Sequence, residues 1–213
     1  MKKLFSLISL VALTMMLFAC TNTASFVIPE TGANKDLLIT EKTTQYFTDE
    51  VVLDEDINKM LQAGVNTASA MNKQDWYFSA VTNKELLAEM KTKSMENMPP
   101  QMKEQANPKA GIGDSPLAII VSCPAKEMFS ELGAGLATQK ICDYAMLSGY
   151  STKIVAAPCR MINENYKEKL GIPANMEAVA IILIGKTKDM NGVDGISSAS
   201  TRKTFDEVVN IIK

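Results

Sequence analysis

The chain has 213 residues, 46% of them hydrophobic, with a formal net charge of −2 and no histidine. That size suits one ordinary domain with a core of its own, and a mildly acidic balance without basic clusters argues against nucleic acid as a partner. The missing histidine removes Ser-His-Asp and Cys-His nucleophile systems and most zinc sites.

At the N-terminus Lys2 and Lys3 precede an apolar run over 4–19 that closes on Leu17-Phe18-Ala19-Cys20. The run is shorter than the roughly 20 residues a spanning helix needs, and a small residue, Ala19, stands where a cleavage site wants one. A spanning anchor is the weaker reading, and a plain cleaved signal is a second alternative. The pattern predicts a lipoprotein signal over 1–19, with Cys20 lipidated as the new N-terminus. Removal of 1–19 leaves 194 residues and a formal charge of −4. Residues 20–37, rich in Thr and Asn with Gly and Pro, read as a tether, and the domain is expected over 38–213.

Asp54 opens a helix with acids in its first turn and Ile57, Met60, Leu61 and Val65 at helical spacing. "WYFSAVTN" reads as a strand, and Asn83 as the cap of a helix, "KELLAEMKTKSM". Residues 96–115, poorly periodic with Met, Pro and Gly, predict a lid or surface excursion. Apolar runs over 116–123 and 178–186 predict buried strands, and 127–149 a long, closely packed helix between them. A short helix is expected over 163–170, stopped by Gly171 and Pro173, and "TFDEVVNIIK" as a closing amphipathic helix. Cys123 and Cys142 fall in apolar runs and are expected in the core, with Cys159, after Pro158, as the one near the surface. Helices and strands alternate without a βαβ period or a GxGxxG after a strand, so the fold class is α+β.

One stretch, "ASAMNKQDWYF" over 68–78, sets small and amide-bearing residues against the only tryptophan. It resembles the Ala-Pro-Ser-x-x-Asn-x-Gln-Pro-Trp segment of the flavin-dependent nitroreductase family, with Ala68 and Asp75 in place of prolines. Three further matches occur in order along the chain. "GLATQKICDYAMLSGYSTKIV" is similar to the family's central helix with its Gly-x-Ala-x-Gln pattern, "IPANMEAVAIILIGK" to its Ile-Pro-strand-Gly segment, and "TRKTFDEVV" to its closing Arg-x-Pro-x-x-Glu-Val-Val. The resemblance implies a central mixed or antiparallel sheet flanked by helices, a buried central helix, and FMN as cofactor.

It also implies a site. Lys42, Thr43, Gln45, Arg202 and Lys203 fall at the family's phosphate-binding positions, with neutral Gln45 where the family has arginine. Ser69 and Asn72 fall along the flavin ring, the Asn72 amide donating to and accepting from its pyrimidine edge. Ala156 and Ala157 correspond to backbone amides near flavin N5. On residue type alone, Lys42 and Lys203 are equally surface charges, Ser69 and Asn72 a helix-terminal turn, and Trp76, Tyr77 and Phe78 core strand residues.

The activity implied is two-electron reduction of a nitroaromatic, quinone or similar small acceptor by NAD(P)H through FMN, in a homodimer with sites at the subunit interface. A lipid-anchored protein of the cell envelope, facing the periplasm or the cell surface, has little access to nicotinamide nucleotides. A membrane quinol or periplasmic carrier is then the alternative donor. The rival reading is a non-catalytic flavin-binding or structural envelope lipoprotein on the same fold.

Overall fold

The two uninterrupted apolar runs become the central strands of a four-stranded sheet, β3 (Leu117–Pro124) and β5 (Met176–Gly185), in the computed structural model. The edges are β2 (Tyr77–Val81) and β4 (Ser151–Val155), in the order β2-β3-β5-β4, and every pairing is antiparallel. The described residues are 38, 43–44, 46–96, 98, 111–187, 196–197 and 202–213, all within the unit Asn34–Lys213. The expected signal segment, Cys20, the tether, Lys42, Gln45 and most of the 96–115 excursion lie outside them.

Buried on both faces, β3 and β5 carry side chains into two separate cores. On one face Leu117, Ile119, Val121, Ile182 and Ile184 meet α1 (Asp54–Val65) and α3 (Met128–Leu147). On the other, Ala118, Ile120, Ile181 and Leu183 meet α2 (Lys84–Glu96) and α4 (Cys159–Asn165). The result is an α+β sandwich of three layers. Where α1 crosses α3, Gly64 lets the helices touch: a Cβ there would lie 2.8 Å from Ile141 Cδ1. A short ribbon, β1 (Thr43–Thr44) with β6 (Ile196–Ser197), lies beside β4, and Phe47 bridges to Thr187. Register shifts between Val121 and Ser122, where β3 skips Val179 of β5.

Asn83 caps α2 as expected, its side-chain oxygen accepting from Leu86 N–H at 2.7 Å. Elsewhere the structure departs from the sequence reading. The long helix stops at Leu147, and Gly149, at φ +79°, turns the chain directly into β4. The short helix starts at Cys159, because Pro158 supplies a fixed φ where no N–H is needed. It ends at Asn165, and the chain to Gly171 is held by turn bonds instead. Cys159 is buried rather than near the surface, packed in the core with Met161 and Ile162. The closing helix shrinks to α5 (Phe205–Val208), and Val209 turns extended. Its capping box, Thr204 with Glu207, is complete, but the β-branched residues beyond are exposed among the described residues of the single chain, and an unpacked helix of this length does not propagate.

Candidate functional site

Residues 69–76 form a tight loop that holds three of the four non-glycine residues with positive φ among the described residues. Met71, Asn72 and Gln74 all have positive φ, 53°, 54° and 54°. Non-glycine residues adopt this region at a cost, and three within four positions need a surrounding structure that imposes it. Part of it is internal: Asn72 N–H donates to Ser69 O at 3.1 Å, Gln74 N–H to Ser69 Oγ at 3.0 Å, and Trp76 N–H to Gln74 O at 2.9 Å. Part is external. Ser130 Oγ, in the first turn of α3, donates to Asp75 Oδ2 at 2.8 Å, and Lys73 reaches Glu127 at 3.3 Å. Trp76 lies against Gly133, stacked over Phe78 with ring centroids 6.4 Å apart.

The loop presents polar groups outward. Asn72 is exposed, and among the described residues its side-chain amide has no hydrogen-bond partner, only its carbonyl accepting from Gln74. Ser69 is half-buried, its hydroxyl committed to the loop.

Ala156 and Ala157 come after β4 at the opposite edge of the sheet, both exposed, and among the described residues no loop or turn bond engages their N–H groups. Local structure explains the exit. β4 ends opposite Ile181, and beyond it the Asn163 amide takes over β5, accepting from Ala178 N–H at 2.7 Å and donating to Ala178 O at 3.1 Å. Since β2 starts opposite Ser122 and Ala178, the 69–76 loop and Ala156–Ala157 share one end of the sheet. Three strand spacings separate their edges, about 14 Å.

Thr43 pairs by backbone with Ser197 in the ribbon beside β4. Thr44, one residue on, is fully buried, and its hydroxyl has no hydrogen-bond partner among the described residues. Arg202 and Lys203 are exposed just ahead of the α5 cap. Of the expected residues that are described, Thr43 and Ala156–Ala157 therefore lie at the β4 edge and Ser69–Asn72 at the β2 edge, with Arg202 and Lys203 ahead of α5. Sequence reasoning missed Asp75, Ser130 and Asn163. Only Asp75 had left a signal, as the residue standing in place of a proline.

Electrostatics around the site are modest. Burial pushes the Lys153 ammonium on β4 down, partly offset by Asp114. Burial pushes the Cys159 thiol up to about 12, so it stays protonated beside the Ala156–Ala157 turn. Among the described residues no three His, Cys, Asp or Glu side chains are grouped to hold a metal ion, and no helix is long and apolar enough to cross a membrane.

Residues 41–186 match the profile of the Nitroreductase family. The chain is similar to a protein of Archaeoglobus fulgidus named "Putative NADH dehydrogenase/NAD(P)H nitroreductase", 27% identical over 72% of this chain and 84% of that one. Among solved structures it is similar to a nitroreductase with bound FMN from Desulfitobacterium hafniense, with TM-score 0.70 and 18% identity, covering 84% of this chain and 97% of the other. A nitroreductase with bound FMN from Bacteroides fragilis gives TM-score 0.68 and 17% identity, covering 86% and 100%. With the profile matched over most of the domain and the fold shared with these structures, the chain belongs to the Nitroreductase family, a family of oxidoreductase enzymes.

Proposed function

We propose that this protein is an FMN-dependent oxidoreductase that passes two electrons from a reductant to a small nitroaromatic, quinone or similar acceptor. The observation that carries the reading is the 69–76 loop, which holds small residues and the unpartnered Asn72 amide in a strained, outward-facing conformation at the sheet end that also exposes Ala156–Ala157. Those groups fit FMN: a free amide suits the pyrimidine edge, exposed backbone N–H groups suit an electron-rich ring nitrogen, and Arg202 with Lys203 suits a phosphate.

FMN supplies the two-electron chemistry, accepting from the donor and giving to the acceptor. The chain supplies placement. Ser69–Asn72 backs the ring, Asn72 fixes its pyrimidine edge, and the Ala156 and Ala157 N–H groups polarise the reacting side. Lys42, Thr43, Gln45, Arg202 and Lys203 hold the phosphate, with Gln45 giving a weaker grip than a guanidinium.

The two site groups lie at opposite sheet edges, which supports a homodimer in which each flavin draws on both subunits. α3 exposes Met128, Phe129, Leu132, Leu136 and Leu147, and the chain end exposes Phe205, Val208, Ile211 and Ile212, an apolar area that a second copy would cover. The Leu17–Cys20 pattern supports a cell-envelope location with Cys20 as lipid anchor. There a membrane quinol or periplasmic carrier suits the donor role better than NAD(P)H.

The test is the visible spectrum of the purified protein, then anaerobic stopped-flow reduction. A yellow protein bleached by a quinol analogue and reoxidised by an acceptor is expected. Fast, saturable bleaching by NADPH would overturn the donor assignment, and a protein that takes up no flavin would favour the non-catalytic lipoprotein.

A further inference from the structure

We infer that Asp75 and Ser130 form a clamp that holds the 69–74 loop in its left-handed conformation, making both positioning residues for the flavin. The inference rests on the reading that this loop carries the flavin ring.

The loop cannot be explained by its own bonds. Its internal hydrogen bonds close small turns around Ser69, yet the loop sits at the surface, with Met71, Asn72, Lys73 and Gln74 all exposed. Water competes for such bonds, so they do not by themselves offset three left-handed residues. Asp75, at the loop's C-terminal end, is held differently. It is only partly exposed, and its Oδ2 accepts from the hydroxyl of Ser130, which is 3% exposed and fixed on the first turn of the 20-residue α3. The bond joins positions 55 residues apart, tying the loop to the most extensive helix of the domain.

A second tether shares the carboxylate. Lys73 lies 3.8 Å from the same Asp75 oxygen and 3.3 Å from Glu127, the residue at the N-cap of α3. Gln74 is thus held between two anchored neighbours, and its N–H is directed to Ser69 Oγ. Proline would give rigidity at position 75 by restricting the chain itself, and by biasing the residue before it away from right-handed helical backbone. Asp75 stands in proline's place here, and with Gln74 at φ 54° the chain takes its rigidity from a side-chain bond across to α3.

The experiment compares wild-type, Ser130→Ala, Asp75→Ala, the double variant and Asp75→Asn in the full-length protein. It reads amide hydrogen exchange of Asn72, Lys73 and Gln74 without flavin, then the Kd for added FMN. Either alanine variant should speed exchange at these amides by roughly tenfold while amides of β3 and β5 stay unchanged. FMN affinity should fall by about tenfold in each, with no further loss in the double variant. Asp75→Asn keeps a side-chain oxygen for Ser130 and should stay near wild type. Unchanged loop exchange in both alanine variants overturns the clamp, and faster exchange with unchanged FMN affinity overturns the positioning role. A wild type that binds no FMN overturns the flavin reading instead, while the flavin-free exchange still reads the clamp alone.

Discussion

Gly64 and Ile141 meet where α1 crosses α3, so closely that a methyl group built on Gly64 would lie 2.8 Å from Ile141 Cδ1 and 3.1 Å from the Phe78 ring. Glycine to alanine inside a helix is ordinarily favourable by up to about 1 kcal/mol. Overpacking costs about 1–3 kcal/mol. The clash falls on the tip of one flexible side chain but also on an aromatic ring, so Gly64→Ala should lose about 1–2 kcal/mol on balance. Urea unfolding measures it, and a gain in stability would show that α1 is free to shift.

The exposed face of α3 predicts the oligomeric state. Leu132 is 57% exposed and Leu136 48%, at i and i+4 on one stripe. Light scattering of the wild type at micromolar concentration should give a dimer, and Leu132→Asp should give a folded monomer with unchanged circular dichroism. A monomeric wild type would remove the second copy from the proposed site.

Burial pushes the Cys123 thiol up to about 11 and the Cys159 thiol up to about 12, above the ordinary value of 9.0. Native protein at pH 8 should therefore resist iodoacetamide at both positions, with rapid labelling only after unfolding. Stability depends on pH in the same sense for both. Below pH 9 both thiols are protonated in either state and stability does not depend on them. Between 9 and about 11 to 12 the unfolded thiols ionise first, so stability falls as pH rises, by up to roughly 1.4 kcal/mol per pH unit for each. Cys159→Ala should flatten that fall, and an unchanged slope would mean the thiol titrates normally.

Because neutral Gln45 stands among the proposed phosphate ligands, Arg202 should matter more than usual. Arg202→Ala is expected to weaken FMN binding by roughly tenfold to a hundredfold, and Gln45→Arg to tighten it. Fluorescence quenching of FMN reads both, and equal affinity for Arg202→Ala and wild type would take Arg202 out of the site.

Legibility in the sequence depended on where the structural information came from. The two central strands were readable because burial on both faces leaves an unbroken apolar run, and Asn83 because capping is a local rule. β4 was not: "STKIV" has one exposed and four half-buried residues, and only pairing with β5 makes it a strand. The α5 extension shows the opposite error, periodicity that the single chain leaves exposed among its described residues. Within the proposed site, Ser69 and Asn72 came from a motif whose residue types survive in order, whereas Ala156–Ala157 came only from their place in the family's order, since a backbone role leaves no residue type to read. The Asp75–Ser130 bond is set by tertiary placement, and nothing in the spacing of two polar residues 55 apart announces it.

The skipped residue in β5 gives that strand two phases. Ala178 points into the core under α2 and α4, Val179 and Ala180 both pack on the opposite side, and from Ile181 onward the odd positions have taken over the first face. A strand alternates strictly, so one residue is all that separates these phases. Deleting Val179 alone would therefore remove the bulge and flip nothing: Ala178 would follow Ala180 in strict alternation, still opposite Ser122 and still on the face of α2 and α4. Met176 would stay on that same face, and Glu177 on the other. The bulge is thus a place where this strand can lose a residue and keep its side chains on their faces.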